Sequence, residues 1–588
     1  MEQERGGWNW ALWGSLTILT LVYFPAFTND YAKLDTFGFL NEVTLGSFDT
    51  WKSWISIQGR PLTSALTELF FATAGGISGL QGVRFIGFIG LLVFAFTLER
   101  LFRKHNYSPC ARLFLTLAIC SVPGLATLVL WTVCFPYTWA AALAVLSAQL
   151  CCDEPDRLFS KRKLAGWIGL FIALWVYQPS TLFGLIPLLL KLLEEEASPR
   201  SFLRQNTLNL SYFYSVLGIY YITYKLLFLP LMPPQEGVSL ARISLAQDLL
   251  NQFATLFGRA IPETLHGWAY FYGLTAKTVV AITTLAALLT GGVFSLWRGP
   301  RVISSLRGLG IGALMFIFIP CLYLYDGSPY RLMGPFSAII IVLVFSSLRS
   351  IASPRRERFT LTAFAFIAAL QVIACGDVLH RFWVSPASNE VLTYRAQIEA
   401  SLNDGPPDAL IVIPSVESTY GGKRKKYLFG LLTSSADYQW TIDPFLRLLM
   451  SEQFGKDYAR SVPIFLTKEI FDTHHALVLD ANELFFGKEH PDTVDPDTLI
   501  ELKKGAATWW LSPWLGIYQL LEINEETGAG RIEHLDLGSV NFQWEGDDLL
   551  LKPMGSEWLR TNADLFPKAT SLDGETVELL PRTKSDPI

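Results

Sequence analysis

Two carboxylates, Asp30 and Asp35, follow the first long apolar run of the chain almost at once, and Arg60 closes the stretch they open, Phe24–Pro61. Acidic groups at the mouth of a membrane span are costly unless they face water or take part in chemistry. Further along, Gln178, Lys225, Asp326, Tyr330 and Arg331 fall at or near the ends of other apolar runs, and His266 falls in the long loop between two of them. Carboxylates that can accept a proton or bind a cation, set against cations that can hold an anion, define the candidate set. The rest of the chain must then bring these residues to one face.

The elements that would do so are apolar runs near Trp8–Phe27, Val83–Phe102, Leu113–Val129, Tyr137–Cys152, Leu164–Tyr177, Thr181–Leu193 and Leu208–Leu229. Others lie near Lys277–Trp297, Leu309–Tyr325, Leu332–Leu348 and Phe359–Gly376. A crossing needs about 20 residues. The pattern predicts a polytopic α-helical membrane protein of about eleven transmembrane helices, the first being a retained helix and not a cleaved signal. Composition agrees: 588 residues, 51% apolar, 17% charged, mean hydropathy +0.33.

Charge divides the chain. Met1–Gly376 carries 28 Lys and Arg against 19 Asp and Glu, whereas Asp377–Ile588 carries 19 against 33. We therefore expect a membrane domain over 1–376 and an acidic soluble α+β domain over 377–588. Basic residues concentrate in alternate loops, in four or fewer per loop: Arg100, Arg103, Lys104, Arg112, then Arg157 to Lys163, Lys191 to Arg204, Arg298 to Arg307, and Arg349 to Arg358. The positive-inside rule puts these loops and the N-terminus in the cytoplasm and the first long loop and the tail outside. In that loop, Phe37 to Ile55 and Leu62–Ala74 read as helices lying in the membrane interface, and Leu240–Arg259, in the external loop after the seventh span, reads as another.

In the tail, Val384–Glu390 reads as a short linker. Ala409–Pro414, Pro463–Leu466 and Ala476–Leu479 read as strands, and Asp443–Gln453 and Pro496–Lys504 as helices. Short runs such as Gly516–Ile523, Gly530–Leu535 and Leu549–Lys552 alternate with turns and suggest antiparallel strands. The basic run Lys423–Lys426 is a solvated turn or a contact for anionic headgroups. His474 and His475 are adjacent and cannot share one helix face, so an exposed or structural pair is the simpler reading. All seven cysteines, Cys110, Cys120, Cys134, Cys151, Cys152, Cys321 and Cys375, fall in the apolar half without metal-ligand spacing. No phosphate-binding glycine loop, hydrolase elbow, zinc motif or nucleic-acid module is present in the sequence.

Asn29-Asp30, Gly59-Arg60-Pro61-Leu62, Tyr177-Gln178 and the late Arg331, spread over about Trp8–Leu348, resemble the motifs of GT-C membrane glycosyltransferases. The likeness is nearest to bacterial glucosyltransferases that modify O-antigen in lipopolysaccharide. The resemblance implies transfer of a hexose, glucose first among them, from a polyprenyl-phosphate donor to a cell-envelope glycan or lipid, on the outer face of the bacterial inner membrane. The C-terminal domain would be periplasmic or extracellular. Where that pattern tends to have an acidic pair, this chain has Asn29-Asp30, so one carboxylate carries over. An inverting transfer needs a carboxylate to take the acceptor's hydroxyl proton. Asp30 is the expected base, and Asp35 a second carboxylate or a ligand for a divalent cation. The leaving phosphate needs cations, for which Arg331 beside Tyr330 comes first and Lys225 and Arg60 follow. Gln178 and His266 complete the expected substrate contacts, each with a structural role as its alternative. The competing readings are a transporter or flippase of a lipid-linked glycan and a non-enzymatic envelope assembly protein.

Overall fold

The computed structural model describes residues 9–33, 35–46, 48–154, 160–193, 199–231, 265–266, 268, 274–298, 305–306, 308–311, 330–351, 357–401, 405–407, 409–413, 439–466 and 476–480. It also describes the strands 500–504, 507–512, 516–524, 529–534, 538–545, 548–553, 559–562, 568–570 and 576–578. The chain forms two compact units. One comprises Met1–Ile411, Glu417–Phe465 and Thr473–Leu479, the other Val412–Val416, Leu466–Asp472 and Asp480–Ile588.

The first unit is mainly helical. Among the described residues four helices are long and apolar enough to cross a membrane, or five if a bent pair counts as one. They include α1 (Trp10–Thr28) and α5 (Leu80–Lys104). The bent pair is α6 (Pro109–Cys120) and α7 (Pro123–Leu130), which meet at 62°. Pro123 sits in the first turn of α7, where its missing N–H leaves no ladder bond unmade. The centre is α8 (Phe135–Cys152), a helix buried on nearly every side. Small residues let its neighbours approach closely. At Gly90 of α5 a Cβ would stand 2.4 Å from Thr138 Oγ1, and Thr138 Oγ1 donates to the carbonyl of Gly87 at 2.8 Å. On the other side α9 (Lys161–Val176) presents Gly166 and Gly169 to Ser147 and Cys151. At the start of α6, Ser108 caps the helix and Cys110 is exposed, while Cys120, Cys134, Cys151, Cys152 and Cys375 are buried.

The first long loop folds into three helices, α2 (Asp35–Leu45), α3 (Asp49–Ile57) and α4 (Pro61–Ala74). Helices are therefore present where the sequence predicts interfacial ones, but protein covers one side of α2. Phe37 is fully buried, its ring 4.4 Å from that of Phe445. After α9 come a single helical turn, α10 (Gln178–Thr181), then α11 (Leu185–Leu193) and α12 (Pro199–Ile222), the last running into a π-helical stretch at Thr223–Phe228. Later helices are α13 (Leu274–Arg298), α14 (Tyr330–Ile351) and α15 (Glu357–Val378).

Two expectations for the tail fail. Val384–Glu390 is not a linker. A π-helical stretch, Leu379–Val384, joins α15 to α16 (Ser385–Ala400) without a break. Pro386 falls in the first turn of α16, where a proline is tolerated. Of the helix expected at Pro496–Lys504, Ile500–Lys504 is instead a strand paired antiparallel with Ala507–Ser512, and 496–499 lie outside the described residues. Ile500 and Leu502 alternate with Glu501 and Lys503, a period of two that a partner strand turns into sheet. The predicted helix near Asp443–Gln453 is present as α17 (Gln439–Phe454), followed by α18 (Lys456–Ser461). Both belong to the first unit.

The strands predicted at 409, 463 and 476 are also present, as β1 (Ala409–Ile413), β2 (Ile464–Leu466) and β3 (Ala476–Asp480), in the order β2-β1-β3. The second unit carries a seven-stranded antiparallel meander over residues 500–562, each strand pairing with its sequence neighbour, and a small two-stranded sheet over 568–578. Leu240–Arg259, most of Leu309–Tyr325, Lys423–Lys426, Asp326 and His474-His475 lie outside the described residues.

Candidate functional site

Helix α1 ends with carbonyls that have no partner within the helix. Arg84, fully buried in the first turns of α5, takes one of them and two carbonyls just past the helix end. Its Nε donates to Ala26 O, Nη2 to Asn29 O and Nη1 to Tyr31 O, each at 2.6 Å. The guanidinium also lies over the Tyr31 ring, 3.9 Å from its centroid. A cation here also meets the negative end of the α1 dipole. Tyr31 donates its hydroxyl to Leu130 O at 3.0 Å. Burial pushes the Tyr31 phenol up to about 12, against the opposing pull of Arg84. This clamp fixes the backbone on either side of Asp30.

The Asp30 side chain is fixed separately. Ser78 Oγ, in the turn that links α4 to α5, donates to Oδ2 at 2.9 Å, and Gln81 Nε2, in the first turn of α5, donates to Oδ1 at 2.6 Å. Arg395, on α16, brings Nη1 to 3.6 Å from Oδ2, while its Nη2 donates to Glu452 of α17 at 3.0 Å. Glu452 closes the ring by accepting from the Ile77 backbone N–H at 3.3 Å. All three charged side chains are mostly buried, 18% to 27% exposed. Asp35, by contrast, is the first residue of α2, where a carboxylate complements the helix N-terminus. Among the described residues no group of three or more His, Cys, Asp and Glu side chains is placed to hold a metal ion.

A second cluster joins the other two motifs. Gly59 ends the α3 turn with φ of +80°, a left-handed conformation that glycine adopts without strain. Its carbonyl accepts from Gln178 Nε2 at 2.7 Å and from Tyr220 Oη at 2.9 Å. Pro61 starts α4, and Thr63 Oγ1 donates to Val176 O at 2.6 Å, where α9 breaks at Tyr177. The Arg60 guanidinium lies 4.7 Å over the Tyr177 ring, which stacks on Tyr137 at 3.7 Å and 3°. Tyr224 donates to the Ile57 carbonyl, and the half-buried Lys225 follows it on the π-helical stretch.

The two clusters sit at opposite ends of α4. Arg60 precedes its fourteen residues and the Asp30 partners follow them, so a helix about 21 Å long separates the points of attachment. Gly59-Arg60-Pro61-Leu62 and Tyr177-Gln178 thus come together, as a packed joint, without Asp30. Tyr330 and Arg331 open α14 and their side chains lie outside what is described. His266 is half-buried on a helical turn at 265–266.

No family model, curated protein or solved structure matches this chain.

Sequence reasoning missed Arg84, Arg395 and Glu452. Arg84 had a signal, a lone arginine inside an apolar run, which is expensive unless it is paired. Arg395 and Glu452 had none, because each is an ordinary charge on a polar helix.

Proposed function

We propose that this chain is a membrane glycosyltransferase that moves a hexose from a polyprenyl-phosphate donor to a cell-envelope glycan or lipid. The observation that carries the reading is Asp30: a carboxylate at the end of a membrane-length helix, oriented by Ser78 and Gln81 and faced by a cation. A general base needs a fixed position within reach of the hydroxyl it serves. In the proposed step Asp30 takes the acceptor's proton as the acceptor oxygen bonds to the anomeric carbon. The bond from that carbon to the phosphate oxygen breaks, and its electron pair leaves with the lipid phosphate. Arg331 and Lys225 are the proposed cations for that phosphate. Arg60, stacked on Tyr177, is assigned to the joint between α4 and α9.

On this reading the protein has about eleven spans, a cytoplasmic N-terminus and an outward-facing α+β tail over 377–588, in the inner membrane of a bacterium. The basic alternate loops support that orientation. The test supplies radiolabelled polyprenyl-phosphate glucose to membranes that contain the protein and their native acceptors. Wild type transfers label to a second product and Asp30→Asn loses at least a hundredfold in rate. Equal transfer by the two would remove Asp30 as the base, and none by wild type would remove the activity.

A further inference from the structure

The ring around Asp30 contains two residues that lie beyond the last apolar run of the chain. Arg395 and Glu452 belong to helices that follow the last apolar run, and both reach back to the end of α1 and the turn after α4. Around them α17 is anchored on the first loop. Phe445 packs on Phe37 and on Tyr394 (ring centroids 5.5 Å apart), Gln453 donates to Glu399 at 3.0 Å, and Arg460 donates to the Leu45 carbonyl.

The distances give the two guanidinium edges different jobs. A carboxylate offers about four acceptor positions, and Ser78 and Gln81 take two. At 3.6 Å, Nη1 of Arg395 is beyond ordinary hydrogen-bond length, so it contributes positive charge without taking a third. Glu452 holds the other edge at 3.0 Å and keeps the fork from closing on Asp30 in a bidentate pair. The carboxylate therefore keeps room for an incoming hydroxyl while remaining fixed.

We infer that Arg395 is a positioning residue for Asp30, held at its working distance by Glu452, so that the segment after the last apolar run completes the site. This inference rests on the reading of Asp30 as the base. It gives α16 and α17 a direct part in the reaction beyond covering the first loop.

The experiment uses the full-length protein in native membranes with radiolabelled polyprenyl-phosphate glucose as donor, and normalises rates to folded protein by size-exclusion profile. Arg395→Gln should lower kcat at least tenfold and leave KM for the donor within twofold. Arg395→Lys, which restores a charge, should recover kcat to within about threefold of wild type. A structural role alone would lower the yield of folded protein and leave kcat per folded molecule unchanged. Wild-type kcat in Arg395→Gln, with Asp30→Asn inactive, overturns the inference and leaves the function standing. Wild-type activity in Asp30→Asn overturns the reading beneath it. Should Arg395→Gln fail to fold, Glu452→Gln decides: a fall in kcat at constant KM supports the inference and wild-type kcat overturns it.

Discussion

Gly59 carries two constraints at once. Its φ of +80° disfavours any side chain, and a Cβ there would stand 2.4 Å from Tyr220 Oη and 2.7 Å from Gln178 Nε2. Gly59→Ala should therefore cost more than the roughly 1 kcal/mol of a left-handed alanine alone. Thermal unfolding in detergent should show a lower midpoint, and adding Tyr220→Phe should recover only part of it, since removing the hydroxyl relieves the closer contact and leaves the one with Gln178 and the backbone strain. Tyr31 offers a pH test. Its phenol is raised from 10 to about 12 in the folded protein, so the stability tied to the neutral form is complete below pH 10 and is lost as pH climbs toward 12. At full loss this is on the order of 3 kcal/mol. Tyr31→Phe should be less stable than wild type at pH 8, because the bond to Leu130 is gone, and should lose less of its midpoint between pH 10 and pH 11.5. An equal slope in the two proteins would mean that Tyr31 does not ionise in that window.

At the scale of elements, α2 shows how far a pattern read from sequence can reach. Helical spacing of Phe37, Leu40, Val43 and Leu45 predicts an amphipathic helix, and the helix is there. The same spacing suits lipid or protein as the covering surface, and only the position of Phe445, over 400 residues away in the chain, decides between them. The failure of the expected helix at 500–504 has the same origin: the strand needs residues 507–512 as its partner, and local pattern does not supply a partner. The motifs around Gly59 and Tyr177 were legible because proline and glycine leave strong local marks. The Asp30 ring was half legible, since its carboxylate ends a span and its cation is a distant arginine. Phe445→Ala should cost about 3–5 kcal/mol of local stability. Hydrogen exchange would then rise together in α2 and α17, and a change confined to α17 would contradict their packing.

At the scale of the whole molecule, the break in charge at residue 376 and the division into compact units fall at different places. A continuous helix runs from Glu357 to Ala400 across that break, and residues up to 465 contribute to the helical unit. Composition reports which residues tolerate water, whereas packing reports which residues hold each other. Residues 385–411 and 417–465 are polar enough to leave a membrane and still belong to the unit that contains the membrane-length helices. Its buried groups explain how: Tyr394, Ile398, Phe445, Leu446 and Met450 are all fully covered.

The cysteines described above provide a way to determine which side of the bilayer each loop occupies without engineering a new label. Among the described cysteines only Cys110 is exposed, and it sits in the first turn of α6, next to the basic loop that follows α5. Replacing Cys321, which lies outside the described residues, with serine leaves one accessible thiol, beside Arg103, Lys104 and Arg112, that the proposed orientation puts in the cytoplasm. A membrane-impermeant maleimide should then react with inside-out vesicles and spare intact cells. Labelling of intact cells instead would invert the protein and put Asp30 on the side that holds nucleotide sugars.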